Sequence, residues 1–201
     1  MKGLFFAFEG VNGVGKSTVI TQIYKKLKNS QYDVYLTQEP SRSFIGKFAR
    51  ENADKINGKP LACLTAADRY FHVVNEIIPK LENNTTVLCD RNILSAYVYN
   101  FLDGISYEYT FNLYSGIRYP DAIILLKASI DTVQKRLNKR SNLTRYELQA
   151  PGIENTAYYE SANYLRSIGI KIIEVSTDCE LDTTLNEVYE ILMGLLKNRN
   201  K

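Results

Sequence analysis

The chain has 201 residues, of which 45% are hydrophobic and 23% charged, and its formal net charge is +3. This length and balance describe one globular domain with room for a full core and exclude a disordered chain. So mild a charge gives no case for a nucleic-acid or membrane partner.

The N-terminal run Leu4–Phe8 reads as a buried strand, because Glu9 cuts it too short for a signal peptide or a membrane span. A Gly-rich turn follows. Ser17 to about Leu27 then has helical spacing through Val19, Ile20, Ile23 and Leu27. Asp33–Thr37 is a second strand and Phe44–Glu51 a short helix. One long amphipathic helix is expected from about Leu61 to Leu81, bent near Pro79. Thr86–Cys89 is a third strand that ends at Asp90-Arg91, followed by helical stretches over Ile93–Phe101 and Tyr107–Ile117. Ala122–Leu126 is an entirely apolar fourth strand, and Ile130–Leu137 is helical. Residues 139–152 are polar and carry Pro151-Gly152, which predicts a mobile loop. A helix over Asn155–Ile168, a fifth strand over Ile170–Val175 and a closing helix over Leu181–Leu196 complete the chain.

Apolar strands alternating with helices predict an α/β fold, a five-stranded parallel sheet covered on both faces. Ligands in such sheets bind beyond the carboxyl ends of the strands. Cys63, Cys89 and Cys179 are widely spaced with no CxxC pair. Neither a metal cluster nor a disulfide framework is indicated, and a reducing cytoplasm fits.

Gly10-Val11-Asn12-Gly13-Val14-Gly15-Lys16-Ser17 satisfies G-x-x-x-x-G-K-[ST] in full, between an apolar strand and a helical pattern. The glycines let backbone N–H groups turn inward around phosphate oxygens, and the helix that follows presents its positive end to the same anion. Lys16 is expected on the β- and γ-phosphates of ATP, Ser17 on Mg²⁺, and Thr18 just behind them. Asp90 closes an apolar strand, as a second Mg²⁺-associated carboxylate does in phosphate-loop proteins. An acid there can also simply cap the next helix.

Three further stretches resemble the thymidylate kinase family. Thr37-Gln38-Glu39-Pro40-Ser41-Arg42-Ser43-Phe44-Ile45-Gly46 is similar to its T-R-E-P-G-G-T-x-x-G segment, with Arg50 at the place of the closing arginine. Ala66-Ala67-Asp68-Arg69, then His72, resembles A-x-x-R-x-x-H. Asp90-Arg91-Asn92-Ile93-Leu94-Ser95, then Val98-Tyr99-Asn100, resembles D-R-Y-x-x-S-x-x-A-Y-Q. Tyr119-Pro120-Asp121 fits as well.

The resemblance implies a single nucleotide kinase domain over residues 1–201 with a lid near 139–152. It implies γ-phosphate transfer from ATP, with Mg²⁺, to a nucleoside monophosphate, dTMP first. Arg91 and Arg50 would hold the acceptor phosphate, Arg69 would reach the base edge, and Ser95 and Asn100 would lie near the base. Tyr99 would pack under the sugar. Glu39 is either structural before Pro40 or a base acting on a hydroxyl. The phosphate loop carries no basic residue between Gly10 and Gly15, which resembles members that supply the transition-state arginine from the lid. Arg145, in Arg145-Tyr146-Glu147, is that candidate. Arg136 is expected on the ATP side, with Lys139 and Arg140 as weaker candidates. A cytoplasmic homodimer built through the long helices is also implied.

Four positions depart from the family pattern. Asn12 stands where an acid is usual, Thr65 where a Phe stacks on thymine, Asn92 where an aromatic follows Asp-Arg, and Ser41-Arg42-Ser43 where Gly-Gly-Thr is usual. All four surround the acceptor, so kinase chemistry is better marked than the acceptor. A deoxynucleoside kinase acting on a 5′-hydroxyl and a non-catalytic ATP-binding homologue are the alternatives. His72, the lone histidine, is expected to pack rather than to catalyse.

Overall fold

A strand buried on both faces reads as a nearly continuous apolar run, and the central strands do. The computed structural model describes residues 2–139, 144–146, 148 and 152–198. Within them β1 (Phe5–Glu9) is buried at every position, and β3 (Thr86–Asp90) and β4 (Ala122–Lys127) at all but the last. With β2 (Val34–Gln38) and β5 (Ile172–Ser176) they form one five-stranded sheet in the order β2-β3-β1-β4-β5. Every pairing is parallel, with Phe6 of β1 opposite Leu88 of β3 on one side and Ala122 of β4 on the other.

The helices are α1 (Lys16–Asn29), α2 (Phe44–Asn52), α3 (Gly58–His72), α4 (Ile78–Glu82), α5 (Ile93–Leu102), α6 (Tyr107–Leu113), α7 (Ile130–Leu137), α8 (Ile153–Ser167) and α9 (Leu181–Asn198). They cover both faces of the sheet. α1 buries Val19, Ile20, Ile23 and Leu27, the four residues its spacing selected, and packs beside α9. The core is continuous from Phe5, Phe6 and Phe8 through Leu88, Leu94 and Ile124 to Leu165 and Leu192.

Three expectations are corrected. The single helix over 61–81 is two helices joined by a π-helical turn at Val73–Ile77. Pro79 lacks the N–H that a continuous helix needs, so it lies in the first turn of α4, where that donor is dispensable. α6 stops at Leu113 rather than Ile117, and the turn after it passes through Gly116 at φ +77°. β5 begins at Ile172, after a turn at Gly169 with φ +90°.

The connection after β1 passes over β3 to reach β2, and the chain later returns to β4 on the other side of β1. The carboxyl ends of β1 and β3 thus flank the crevice where a parallel sheet reverses its winding. That crevice opens into a cavity of about 590 Å³.

Candidate active site

The phosphate loop follows β1 and runs directly into α1. Gly10, Gly13 and Gly15 have φ of +138°, +81° and +106°. A Cβ on Gly10 would stand 2.4 Å from the Leu126 carbonyl oxygen, so only glycine fits there. The Lys16 ammonium folds back across the loop and donates to the carbonyls of Gly10 (2.8 Å) and Val11 (2.9 Å). Burial, reinforced by the Arg91 charge, pushes this lysine down to about 7 against the pull of Asp90 and Glu9. An anion seated in the loop would supply the missing counter-charge.

The Ser17 hydroxyl donates to Asp90 Oδ2 at 2.8 Å. A hydroxyl and a carboxylate in contact at the mouth of the loop are the hard oxygen donors that Mg²⁺ prefers, so these residues fit that ion. Arg136 of α7 closes the far side of the loop. It donates to the Val14 carbonyl and, from its second nitrogen, to the Thr177 carbonyl, both at 2.9 Å. Gly13, Gly15, Thr18, Arg136, Thr177 and Cys179 line a separate cleft of about 370 Å³.

Three arginines, Arg50, Arg69 and Arg91, also line the main cavity. Arg91 follows β3 with φ +69°, a left-handed backbone that costs a residue with a side chain on the order of 1 kcal/mol. Its guanidinium donates to Asn12 Oδ1 (2.5 Å), the Tyr158 hydroxyl (2.8 Å) and Ser95 Oγ (3.1 Å), and lies 5.5 Å from the Tyr99 ring centre. Glu9, fully buried at the end of β1, fixes this turn by accepting from the Asn92 N–H (2.7 Å), the Ser95 N–H (3.1 Å) and the Ser95 hydroxyl (2.6 Å). Burial raises the Glu9 pKa, and these hydrogen bonds oppose the rise.

Arg50 of α2 donates to the carbonyls of Pro40 and Ser41 and lines the cavity. Arg69 of α3 is the most enclosed. Its Nε pairs with Glu39 Oε2, one Nη donates to the Asn92 carbonyl (2.9 Å), and its plane lies 4.7 Å from the Tyr114 ring centre. Its Nη1 is buried and has no hydrogen-bond partner. Glu39, which also lines the cavity, accepts on Oε1 from Asn92 Nδ2 (2.9 Å) and His72 Nδ1 (3.1 Å). Three donors thus already hold its carboxylate, which suits a structural anchor rather than a free base. Glu39, His72 and Cys89 bring potential ligand atoms within 4.8 Å of one another. The Glu39 oxygens are already taken by Arg69, Asn92 and His72 itself.

Ser95, Tyr99 and Asn100 of α5 line the same cavity. Tyr99 donates to Glu154 (2.9 Å), and Asn100 Nδ2 to Thr110 Oγ1 (3.2 Å). Of the expected lid, Arg140 and several neighbours lie outside the described residues. The structure seats Arg145 on the acceptor rim, where it donates to Asp103 Oδ2 (2.7 Å) and to the Tyr146 hydroxyl, rather than against the phosphate loop. The Tyr146 ring lies 4.6 Å from that of Tyr99.

The sequence reading passed over several residues of this site. Glu9 was visible only as the acid that ends an apolar strand. Asp68 accepts from the Ser41 N–H (2.6 Å), the Ser41 hydroxyl (2.5 Å) and the Ser43 hydroxyl (2.8 Å), and so ties the loop after β2 to α3. Tyr158, Asp103, Tyr114 and Thr177 come from distant segments, and no local pattern marks them.

The sequence model of one family, thymidylate kinase, matches residues 8–185. A thymidylate kinase from Caldicellulosiruptor saccharolyticus is 33% identical over 99% of this chain and 100% of its own length. A probable thymidylate kinase from Caldivirga maquilingensis is 33% identical over 98% of this chain and 95% of its own. A thymidylate kinase from Finegoldia magna is 31% identical over 98% and 99%. A parallel sheet with the phosphate loop after its first strand, and three arginines that line one cavity with that loop, are thus joined to a sequence likeness over nearly the whole chain: the chain belongs to the thymidylate kinase family.

Proposed function

We propose that this protein transfers the γ-phosphate of ATP to dTMP, giving dTDP. One observation carries the reading: a loop built for phosphates and three guanidinium groups line the same cavity, and Arg91 bridges to the loop through Asn12. The loop takes the donor and the guanidinium groups a dianionic acceptor, for which guanidinium is the better-matched cation. The names of the relatives support dTMP as that acceptor.

Residues 10–18 hold the triphosphate, Lys16 reaches its β- and γ-phosphates, and Arg136 with Thr177 faces the donor base. Ser17 and Asp90 would hold Mg²⁺, which when bound screens the charge on the transferring group. Arg91 and Arg50 take the acceptor phosphate. Arg69 meets the base edge, with Ser95 and Asn100 nearby and Tyr99 under the sugar. The acceptor phosphate is already anionic, so no general base is required and positioning with charge neutralisation carries the reaction. Arg145 leaves Asp103 and meets the phosphoryl group in the transition state.

The Glu39 carboxylate, already held by Arg69, His72 and Asn92, counts against a role as base toward a 5′-hydroxyl acceptor. Release of ADP measured across nucleoside monophosphates tests the assignment. Stimulation by dTMP is expected. Turnover of thymidine but not dTMP, or of no acceptor at all, overturns it.

We assign the whole chain to one kinase domain with a lid near 139–152, working as a cytoplasmic homodimer. No helix among the described residues is long and apolar enough to cross a membrane. Exposed Phe44, Phe48, Phe71 and Val74 on and beside α2 and α3 supply an apolar face for a second copy. A monomer by light scattering at micromolar concentration would remove the dimer.

A further inference from the structure

His72 is fully enclosed, although nothing in the proposed reaction uses it. Its Nδ1 is 3.1 Å from Glu39 Oε1, and its Nε2 is 2.8 Å from Thr37 Oγ1 and 3.3 Å from Glu76 Oε1. The Thr37 hydroxyl is itself 2.8 Å from Glu76 Oε1, which also accepts from the Tyr35 hydroxyl at 2.7 Å. A ring protonated on both nitrogens satisfies all of these contacts at once. A carboxylate only accepts, and as a charged acceptor it takes the Thr37 proton. Thr37 Oγ1 must then accept from His72 Nε2. Nδ1 faces a second carboxylate and must donate as well, so both ring nitrogens carry hydrogen. Glu39 and Glu76 on one side of the account, Arg69 and a charged His72 on the other, leave the cluster neutral.

We infer that His72 is a positioning residue for the acceptor: held as an imidazolium between Glu39 and Thr37, it fixes the Glu39 carboxylate, which fixes Arg69 in the cavity wall. The inference rests on the reading of that wall as the acceptor side. Groups from four segments face the ring: Thr37 of β2, Glu39 after it, Glu76 in the turn after α3, and the Cys89 thiol of β3. Arg69 stands one bond further, across Glu39. Burial lowers the His72 pKa, but the hydrogen bond and charge of Glu39, with those of Glu76, outweigh it and leave the pKa above the ordinary 6.5. The imidazolium is therefore complete below pH 6.5 and is lost as pH rises through the raised folded value.

His72 is the only histidine in the chain, so an untagged sample shows a single imidazole in a proton–carbon correlation spectrum. It should titrate above 6.5, and Glu39→Gln should move that titration down. Titration at or below 6.5, or no response to Glu39→Gln, overturns the inference without any assay of activity.

The kinetic arm uses two variants. His72→Asn keeps a donor toward Glu39 but loses the charge and the link to Thr37, while His72→Leu loses all three. In His72→Leu the KM for dTMP should rise about 10-fold, with the KM for ATP and kcat within about twofold, and in His72→Asn the rise should be about threefold. The dTMP kcat/KM of the unmutated protein should fall at high pH along a limb that His72→Asn lacks. The phosphate of dTMP ionises near 6 as well, so the limb is assigned by its loss in the variant. Equal rises in both KM values, His72→Asn as impaired as His72→Leu, or an unchanged limb would overturn the inference. If His72→Leu does not fold, His72→Asn and the spectrum still decide. Should the unmutated protein phosphorylate no monophosphate, the acceptor reading fails first; normal turnover with His72→Asn indistinguishable from it sinks this inference alone.

Discussion

The Glu39–Arg69 pair offers a quantitative test because the two partners are unequally supported. Their side chains are 3% and 7% exposed. Removing one member of a buried pair costs about 3–5 kcal/mol, since the other charge is left uncompensated. Glu39→Gln leaves Arg69 with the Asn92 carbonyl and the face of Tyr114, and it turns an amide N–H₂ toward either Arg69 or the His72 and Asn92 donors. Arg69→Met leaves Glu39 with both His72 and Asn92. Glu39→Gln should therefore be the more damaging change. For a domain of this size each kcal/mol moves Tm by roughly 2–4 °C, so Glu39→Gln should lower it by about 6–20 °C. The double variant Glu39→Gln/Arg69→Met, which buries no charge at this pair, should recover part of that loss. Thermal and urea unfolding of the ligand-free proteins, followed by circular dichroism, measure all three. A Tm for Glu39→Gln within 2 °C of the parent, or a double variant less stable than Glu39→Gln alone, would refute the reasoning.

Lys16→Ala should cut kcat by about 10²–10³-fold, because it removes a fixed charge from the transferring phosphates. Its Tm should not fall, since enclosing that ammonium disfavours its charged form; a clear loss of stability would contradict this. Chelation of Mg²⁺ should stop transfer reversibly, and Ser17→Ala should raise the Mg²⁺ concentration for half-maximal rate. An unchanged Mg²⁺ titration would remove Ser17 from the metal site. Arg145→Ala should lower kcat far more than it weakens ATP binding measured by calorimetry, whereas equal losses would argue against a transition-state role.

The strands, the helix-to-strand alternation and the phosphate loop were legible because each is a local pattern. Apolar runs mark buried strands, and the glycine spacing marks a backbone that must turn. The arginines were legible through the family resemblance, at intervals that no periodicity would explain. What was not legible is how the arginines are held. Glu9 ends β1 whereas Asn92, which it holds, follows β3; Asp68 and Ser41 belong to a helix and a loop, and Tyr114, which Arg69 meets, lies after α6. Such pairings exist only once the sheet has closed. The π-helical turn after His72 was likewise hidden, because the spacing on either side of it reads as one helix. Pro79 gave the only local sign.

The four departures from the family pattern acquire a common meaning in the structure. Asn12 accepts from Arg91, Asn92 donates to Glu39 and offers its carbonyl to Arg69, and Ser41 and Ser43 bind Asp68, the neighbour of Arg69. Three of the four thus belong to the scaffold that orients the guanidinium groups. Thr65 does not. Its hydroxyl is spent on the Leu61 and Ala62 carbonyls of its own helix, and its side chain lines the cavity. This position therefore offers no aromatic face to an acceptor base. Thr65→Phe would add the face while leaving the arginine scaffold intact. An aromatic contact is worth about 0.5–1.5 kcal/mol, so the KM for dTMP should fall roughly 2–10-fold, with the KM for ATP unchanged. A rise in the dTMP KM would mean that the base already fills the space beside Thr65, and that the arginines alone do not set its position.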